Sequence, residues 1–248
     1  MAGHSKFKNI MHRKGAQDKK RAKVFTKLIR EIYTAARTGQ ADPNFNPRLR
    51  LAISNARALN LPKDKIDNAV KKGSSPTTGE NYEEIRYEGY APGGIALIVE
   101  ALTDNRNRTA SDVRSSFTKL GGNLGETGSV NFMFDRIGLI EYNKDIASDE
   151  EIFEAALEAG ADNCESDDLN HQITCNPDNF NEIREALANK FGEPENSQLS
   201  WKAQNFISID DLDQAIKLMK LIELLEDSDD VQNVYGNYLI PDEIAEKI

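Results

Sequence analysis

The chain reverses its charge at one place. Residues 1–79 carry 18 Lys/Arg against 5 Asp/Glu, a net of +13, and residues 80–248 carry 13 against 36, a net of −23. The whole-chain value of −10 conceals this split. Such asymmetry reads as a basic module that meets polyanions, joined to an acidic body that does not. Residues 1–30 alone hold ten basic side chains and one acid, Asp18. The sign changes across Gly73-Ser-Ser-Pro-Thr-Thr-Gly79, a linker by composition, and a domain boundary is placed there.

With 248 residues, 39% of them hydrophobic, the chain has length for one to three domains and enough apolar material for sizeable cores. Its longest aliphatic run, Ile95-Ala-Leu-Ile-Val99, is closed by Glu100, far short of the ~18 apolar residues that a spanning helix needs. No membrane span or membrane partner is expected. The N-terminus lacks a signal-peptide apolar segment, and two cysteines, Cys164 and Cys175, cannot build a disulfide framework. Both features point to a cytoplasmic setting.

Residues 1 to about 21 are basic with little apolar periodicity and read as an arm that is mobile or ordered by a partner. From Lys23 a helix is expected. Val24, Phe25, Leu28, Ile29, Ile32 and Ala36 fill an arc of roughly 140°, and Lys23, Lys27, Arg30 and Arg37 lie opposite as a basic stripe. Asn46-Pro47 caps a second helix to about Leu59, with Leu49, Ala52, Ile53 and Ala56 inward. Pro62 opens a third through Val70, stopped by Gly73.

Beyond the linker the pattern is mixed. Strands are predicted at 82–90 and 94–102, then a helix over 109–120 with Thr109 and Asp112 spaced as a capping box. A glycine-rich loop (Gly121, Gly122, Gly125, Gly128) leads to a strand at 129–134. A second series follows, with strand 137–142, helix 149–159, short strands 162–166 and 172–175, helix 179–191 and strand 199–209. That is β-α-β-β-α-β, the order of a ferredoxin-like sandwich. Helix 210–225 and strand 231–239 complete the first series. The fold class is therefore α+β with three domains: residues 1–79 helical and basic, 80–134 plus 210–248 a discontinuous α+β domain, and 135–209 a ferredoxin-like domain inserted in it.

The basic arm and first helix carry the strongest chemical signal. A duplex presents one phosphate per ~1.7 Å, and each cation that meets one releases counterions. A solvated surface or an Arg-rich transit peptide would share the composition, but residues 1–21 lack the apolar stripe of a transit helix. The +13 module could also dock on the −23 body and be released by a polyanion. Base readout is weakly supported. Arg48, Arg50, Asn55 and Arg57 occupy the second helix without helix-turn-helix spacing, and Phe7, Phe25, Tyr33 and Phe45 are too few for a stacking platform.

In Thr103-Asp-Asn-Arg-Asn-Arg-Thr109 the short polar residues read as helix caps, and Arg106 with Arg108 as a second anion contact at a helix N-terminus. The glycine-rich loop matches no phosphate-binding fingerprint and reads as a turn. Cys164, His171 and Cys175 fall short of a zinc set, and the acidic clusters (Glu165, Asp167, Asp168; Asp227, Asp229, Asp230) read as solvated turns. No catalytic triad context surrounds His4, His12 or His171. Neither catalytic residues nor a metal, cofactor or small-molecule substrate is expected.

Several segments together resemble a known family. Met1-Ala-Gly-His-Ser-Lys, His12-Arg-Lys-Gly-Ala-Gln-Asp-Lys-Lys-Arg-Ala-Lys-Val-Phe-Thr-Lys, Asn55-Ala-Arg-Ala-Leu-Asn-Leu-Pro-Lys-Asp, Tyr87-Glu-Gly-Tyr-Ala-Pro-Gly-Gly, Thr103-Asp-Asn-Arg-Asn-Arg-Thr and Gly121-Gly-Asn-Leu-Gly-Glu-Thr-Gly-Ser-Val are similar to the YebC/PmpR family, with Phe7 where tryptophan is more usual. The resemblance spans essentially the whole chain. It implies a cytosolic protein with a helical N-terminal domain and two α+β domains. It also implies one of two functions: a DNA-binding transcriptional regulator, or a ribosome-associated translation factor that relieves stalling at proline-rich stretches, as for the related mitochondrial translational activator.

The expected function is a non-enzymatic, nucleic-acid-binding regulator of gene expression whose partner is duplex DNA or ribosomal RNA, with the transcription machinery or the ribosome around it. The expected contact residues are Lys6, Lys8, Arg13, Lys14, Lys19, Lys20, Arg21, Lys23, Lys27, Arg30 and Arg37, with Arg106 and Arg108 as a second set.

Overall fold

The computed structural model describes residues 17–75 and 81–248, with side chains from Arg21 onward. It is a mixed α+β structure whose N-terminal part is helical. Helix α1 (Gln17–Thr38) starts six residues before the periodicity suggested, so residues 17–21 of the expected arm are helical. The rest of the arm lies outside the described residues. Asn46 joins two elements. Its Oδ1 accepts the Leu49 amide at 3.0 Å as the N-cap of α2 (Pro47–Ala58), and its Nδ2 donates to the Ala35 and Gln40 carbonyls at 2.8 and 2.7 Å, closing the end of α1. The inward set on α2 is the expected one, Leu49, Ala52, Ile53 and Ala56.

Helix α3 (Lys63–Gly73) runs three residues beyond Val70 and ends on Gly73, which is buried. A Cβ there would lie 2.4 Å from the Tyr33 carbonyl oxygen and 2.9 Å from Ala36 Cβ. The glycine ends the helix as expected, and it also lets the end of α3 meet the backbone of α1.

The chain divides into two compact units, and the division falls inside α1. One comprises Met1–Lys27, Glu80–Asp135 and Lys202–Ile248; the other comprises Leu28–Gly79 and Arg136–Trp201. In the first unit, β1 (Glu83–Ala91) and β2 (Ile95–Thr103) form a hairpin in register from Glu83↔Thr103 to Ala91↔Ile95. Its turn places Gly93 and Gly94 at φ +84° and +76°, the left-handed region that favours glycine. Helix α4 (Arg106–Lys119) follows.

The third strand of this sheet is β3 (Asn123–Leu124), two residues inside the glycine-rich loop, and the predicted strand over 129–134 is instead a turn with a 3-10 helix at Asn131–Met133. The sheet order is β3-β1-β2-β9, with β9 (Val231–Gly236) supplied from the far end of the chain. Helices α4 and α7 (Leu212–Glu226) contribute Val113, Phe117, Leu218, Leu221, Ile222 and Leu225 to one core with Ile95, Leu97 and Val99. Ala96 and Ile98 on the opposite face of β2 are also fully buried, which explains the continuous aliphatic run. The expected strand over 231–239 breaks at Asn237, whose Oδ1 accepts the Ala96 amide at 2.8 Å. Tyr238–Leu239 then form β10, parallel to β8 (Ile207–Ser208).

The second unit holds β4 (Phe134–Asn143), α5 (Asp149–Glu158), β5 (Asn163–Ser166), β6 (Asn170–Cys175), α6 (Phe180–Phe191) and β7 (Asn196–Ala203). Its sheet order β5-β6-β4-β7 is that of a ferredoxin-like sandwich. Ile140, Tyr142, Ile152, Ala155, Ile173, Phe180, Ile183 and Leu187 form the core. The predicted strand over 199–209 is split into β7 and β8 by Gln204-Asn205-Phe206. Helices α1 to α3 add their own buried set in this unit, including Ile32, Tyr33, Leu49, Ile53 and Ile66. A final short helix, α8, spans Asp242–Ala245.

Candidate nucleic-acid interface

The basic stripe of α1 is half-buried and partnered. Lys23 Nζ lies 2.6 Å from Asp227 Oδ1 and 3.1 Å from the Asp227 carbonyl, and Lys27 Nζ donates to the Glu226 carbonyl at 2.9 Å. Both lysines thus sit at the C-terminus of α7, where unsatisfied carbonyls and the helix dipole attract cations. Arg37 donates to the Ser75 carbonyl at 3.0 Å, and Arg30 is half-buried. Arg21 is exposed, with its guanidinium 5.3 Å from the Phe25 ring centroid. Lys19 and Lys20 lie on α1 with their side chains undescribed, and Lys6, Lys8, Arg13 and Lys14 lie outside the described residues.

On α2, Arg48 makes a bidentate pair with Glu31 at 2.7 and 2.9 Å, and Arg50 pairs with Glu185 at 3.1 Å. Of the arginines weighed for base contact there, Arg57 is the exposed one. Four lysines outside the expected set, Lys63, Lys65, Lys71 and Lys72 on α3, are exposed and make no ion pair among the described residues. No motif marked them. The signal that finds them is exposure on a short helix whose apolar face is Ile66, Ala69 and Gly73.

The start of α4 is organised differently from expectation. Asn105 caps the helix through its Oδ1, which accepts the Arg108 amide at 3.1 Å, and Thr103 Oγ1 accepts the Asn105 amide at 2.9 Å. Thr109 is not a cap. It is fully buried in the first turn, and its hydroxyl donates to Asp230 Oδ2 at 2.7 Å. The same oxygen accepts Thr103 Oγ1 at 3.1 Å and Arg108 Nη2 at 2.8 Å, and Arg108 also reaches Asp104 at 2.8 Å. Arg108 therefore pairs with Asp230 and Asp104 while its side chain stays half exposed, and Arg106 is exposed as well.

Burial alone would push the Asp230 carboxyl up, but bonds from Arg108, Thr109 and Thr103 outweigh it and hold the group below the usual range. The acid cluster 227–230 is the expected turn, with Asp227 and Asp229 exposed, but Asp230 is buried and both Asp227 and Asp230 make contacts within the chain. Its sequence separation from Lys23 and Thr103 hid them.

The glycine-rich loop contains an anion site that the chain fills itself. Glu88 is buried. Its Oε2 accepts the Val130 and Asn131 amides at 2.9 Å each, Oε1 accepts Arg86 Nε at 3.0 Å, and its own carbonyl accepts the Gly125 amide at 2.8 Å. Burial raises this carboxyl and the amide bonds from Val130, Gly128 and Asn131, with the Arg86 charge, lower it further, to a net depression. In the second unit, the His171 ring nitrogens are engaged by the Lys144 and Ala147 carbonyls and the Ser166 hydroxyl. Burial pushes the Cys175 thiol up to about 11. Among the described residues no cluster of histidine, cysteine and carboxylates could hold a metal ion, and no helix is long and apolar enough to cross a membrane.

Residues 5–76 match the family model described as the TACO1/YebC protein N-terminal domain, and residues 82–238 match that of the TACO1/YebC second and third domain. The chain belongs to the TACO1/YebC family. A probable transcriptional regulatory protein of Rickettsia bellii is 61% identical over 246 residues, covering 99% of this chain and 96% of that protein. One from Rickettsia felis is 61% identical over 249 residues, covering 100% and 98%. The crystal structure of a conserved hypothetical protein from Aquifex aeolicus superposes with a TM-score of 0.85 at 47% identity, covering 90% of this chain and 92% of that one. The YebC resemblance and the mixed α+β architecture drawn from the sequence thus hold.

Proposed function

We propose that this TACO1/YebC protein is a non-enzymatic regulator of transcription that binds duplex DNA through its basic N-terminal part in the cytoplasm. The observation that carries the reading is the charge split, +13 over residues 1–79 against −23 over the remainder. The names of the Rickettsia relatives agree with it. The chain is taken as three domains, 1–79, 80–134 with 210–248, and 135–209.

Lys6, Lys8, Arg13, Lys14, Lys19, Lys20, Arg21, Lys23, Lys27, Arg30 and Arg37 neutralise phosphates, with the exposed Arg106 as an outlying contact. Lys63, Lys65, Lys71 and Lys72 extend the positive surface. Lys23 and Lys27 exchange their partners on α7 for phosphate when the duplex binds. The mode is electrostatic: of the α2 arginines, Arg48 and Arg50 are paired with Glu31 and Glu185, which leaves the exposed Arg57, too little for base readout.

Fluorescence anisotropy with a labelled duplex across a salt series tests this. The log–log slope should fall by about one for each phosphate-contacting cation removed, so replacing Lys6, Lys8, Arg13 and Lys14 by alanine should flatten it by up to about four. An unchanged slope removes the arm from the interface. Co-sedimentation with ribosomes in the presence of excess duplex is the second arm. Retention on ribosomes at physiological salt would overturn the DNA assignment in favour of ribosomal RNA.

A further inference from the structure

Helix α5 of the ferredoxin-like unit presents an outer face that the described residues leave uncovered. Ile152, Ala155 and Ala156 point into the core, while Phe153 and Leu157, one turn apart, are 51% and 65% exposed. Beside them runs Glu150, Glu154 and Glu158, a ridge at i, i+4 and i+8. All five charged residues of α5 are acidic.

Asp149, Glu150 and Glu151 have a local reason, since first-turn carboxylates favour a helix N-terminus and Glu151 completes a capping box with Ser148. Glu154 and Glu158 have only helix propensity in their favour. Each repels the carboxylate one turn before it, and Glu158 sits in the last turn, where the helix dipole disfavours negative charge. None of Glu150, Glu154 and Glu158 makes an ion pair among the described residues. Two large apolar side chains in water and three aligned carboxylates are each unfavourable alone. One partner would relieve both.

We infer that this face is a docking surface for a basic amphipathic helix of another protein. Leucine-like side chains at i and i+3 or i+4 would cover Phe153 and Leu157, and flanking lysines or arginines would meet Glu150, Glu154 and Glu158. The polarity follows from charge: an acidic peptide is repelled by the ridge, and a neutral one leaves it unpaired. This surface goes beyond nucleic-acid binding, because an acidic helix repels phosphates.

The test uses the full chain and a fluorescein-labelled 14-residue peptide of leucine and lysine in helical amphipathic order. A scrambled peptide of equal composition and an ordered leucine–glutamate peptide serve as controls. The ordered basic peptide should bind at least about tenfold tighter than either control, and its amide perturbations in NMR spectra should centre on residues 149–158. Phe153→Ser with Leu157→Ser, both exposed and so compatible with the fold, should weaken it about tenfold or more, as loss of central apolar anchors does.

Glu150→Lys with Glu154→Lys should do the same by charge alone, so the surface stays testable if the serine variant misfolds. Equal binding of the scrambled peptide, perturbations away from α5, or unchanged affinity in both variants would overturn the proposal. So would sedimentation equilibrium showing a dimer that the serine variant dissolves, since the occupant would then be a second copy of this chain.

Discussion

Replacing Asp230 by asparagine should cost the first unit about 2–3 kcal/mol at neutral pH, because the side chain keeps its volume but loses its charge. Oδ2 of Asp230 accepts from Thr103, Thr109 and Arg108 at 3.1, 2.7 and 2.8 Å. Hydrogen bonds to a charged group contribute roughly 1.5–3 kcal/mol each and neutral ones ~0.5–1.5, so about 1 kcal/mol is lost per bond. The Arg108 share is discounted because its side chain is 48% exposed and keeps Asp104.

The sign with pH follows from the depressed carboxyl. Its contribution is complete above the ordinary aspartate value of ~3.9 and disappears as pH falls through the lower native value. The wild type should therefore exceed the variant by the full difference at about pH 7, and the gap should narrow below about pH 4. Urea unfolding at both pH values, read with amide exchange in β2 and β9, measures the gap without added salt. A difference under about 0.5 kcal/mol, or one that stays constant into acid, would refute the account.

Three other outcomes follow from the same geometry. Glu88→Gln should accelerate amide exchange at residues 125–131 while leaving β2 protected, because the Val130 and Asn131 amides lose a charged acceptor. Gly73→Ala gains ~1 kcal/mol of helix propensity but sets a Cβ 2.4 Å from the Tyr33 carbonyl, and such overpacking costs ~1–3 kcal/mol. A lower Tm is expected, and a rise would mean that α1 and α3 separate easily. Asp227→Asn frees Lys23 from an exposed pair worth ~0.2–1 kcal/mol, so affinity for a labelled duplex should rise by about 1.5- to 5-fold at low salt. No change would place Lys23 outside the phosphate contacts.

Periodicity located most of the elements because each helix buries one stripe. The inward positions of α2 and the strand order of the ferredoxin-like unit are read almost directly from spacing. The misreadings share a cause: a backbone feature governed by a distant residue. The 129–134 segment is apolar enough for a strand, yet it turns because the Glu88 carboxylate gathers the Val130 and Asn131 amides. Strand β9 stops at Gly236, where a Cβ would strike Leu97 and the Tyr238 ring at 2.7 Å. Gly73 does end α3, but its close contact with α1 shows only in three dimensions.

The same lesson bears on the charges. Composition counts cations but does not say which ones are available to a polyanion. Arg108 and Arg106 stand two residues apart in one motif and both are exposed, yet Arg108 is paired with the buried Asp230 carboxylate and would have to share or exchange that partner. Lys23 and Lys27 are held by the end of α7, 204 and 199 positions away, while four lysines on α3 that no motif marked stand exposed. Affinity for phosphate is therefore the net of exposed cations gained and internal partners exchanged. That net is why a substitution on the acidic side, Asp227→Asn, is expected to strengthen binding although Asp227 need not touch the nucleic acid.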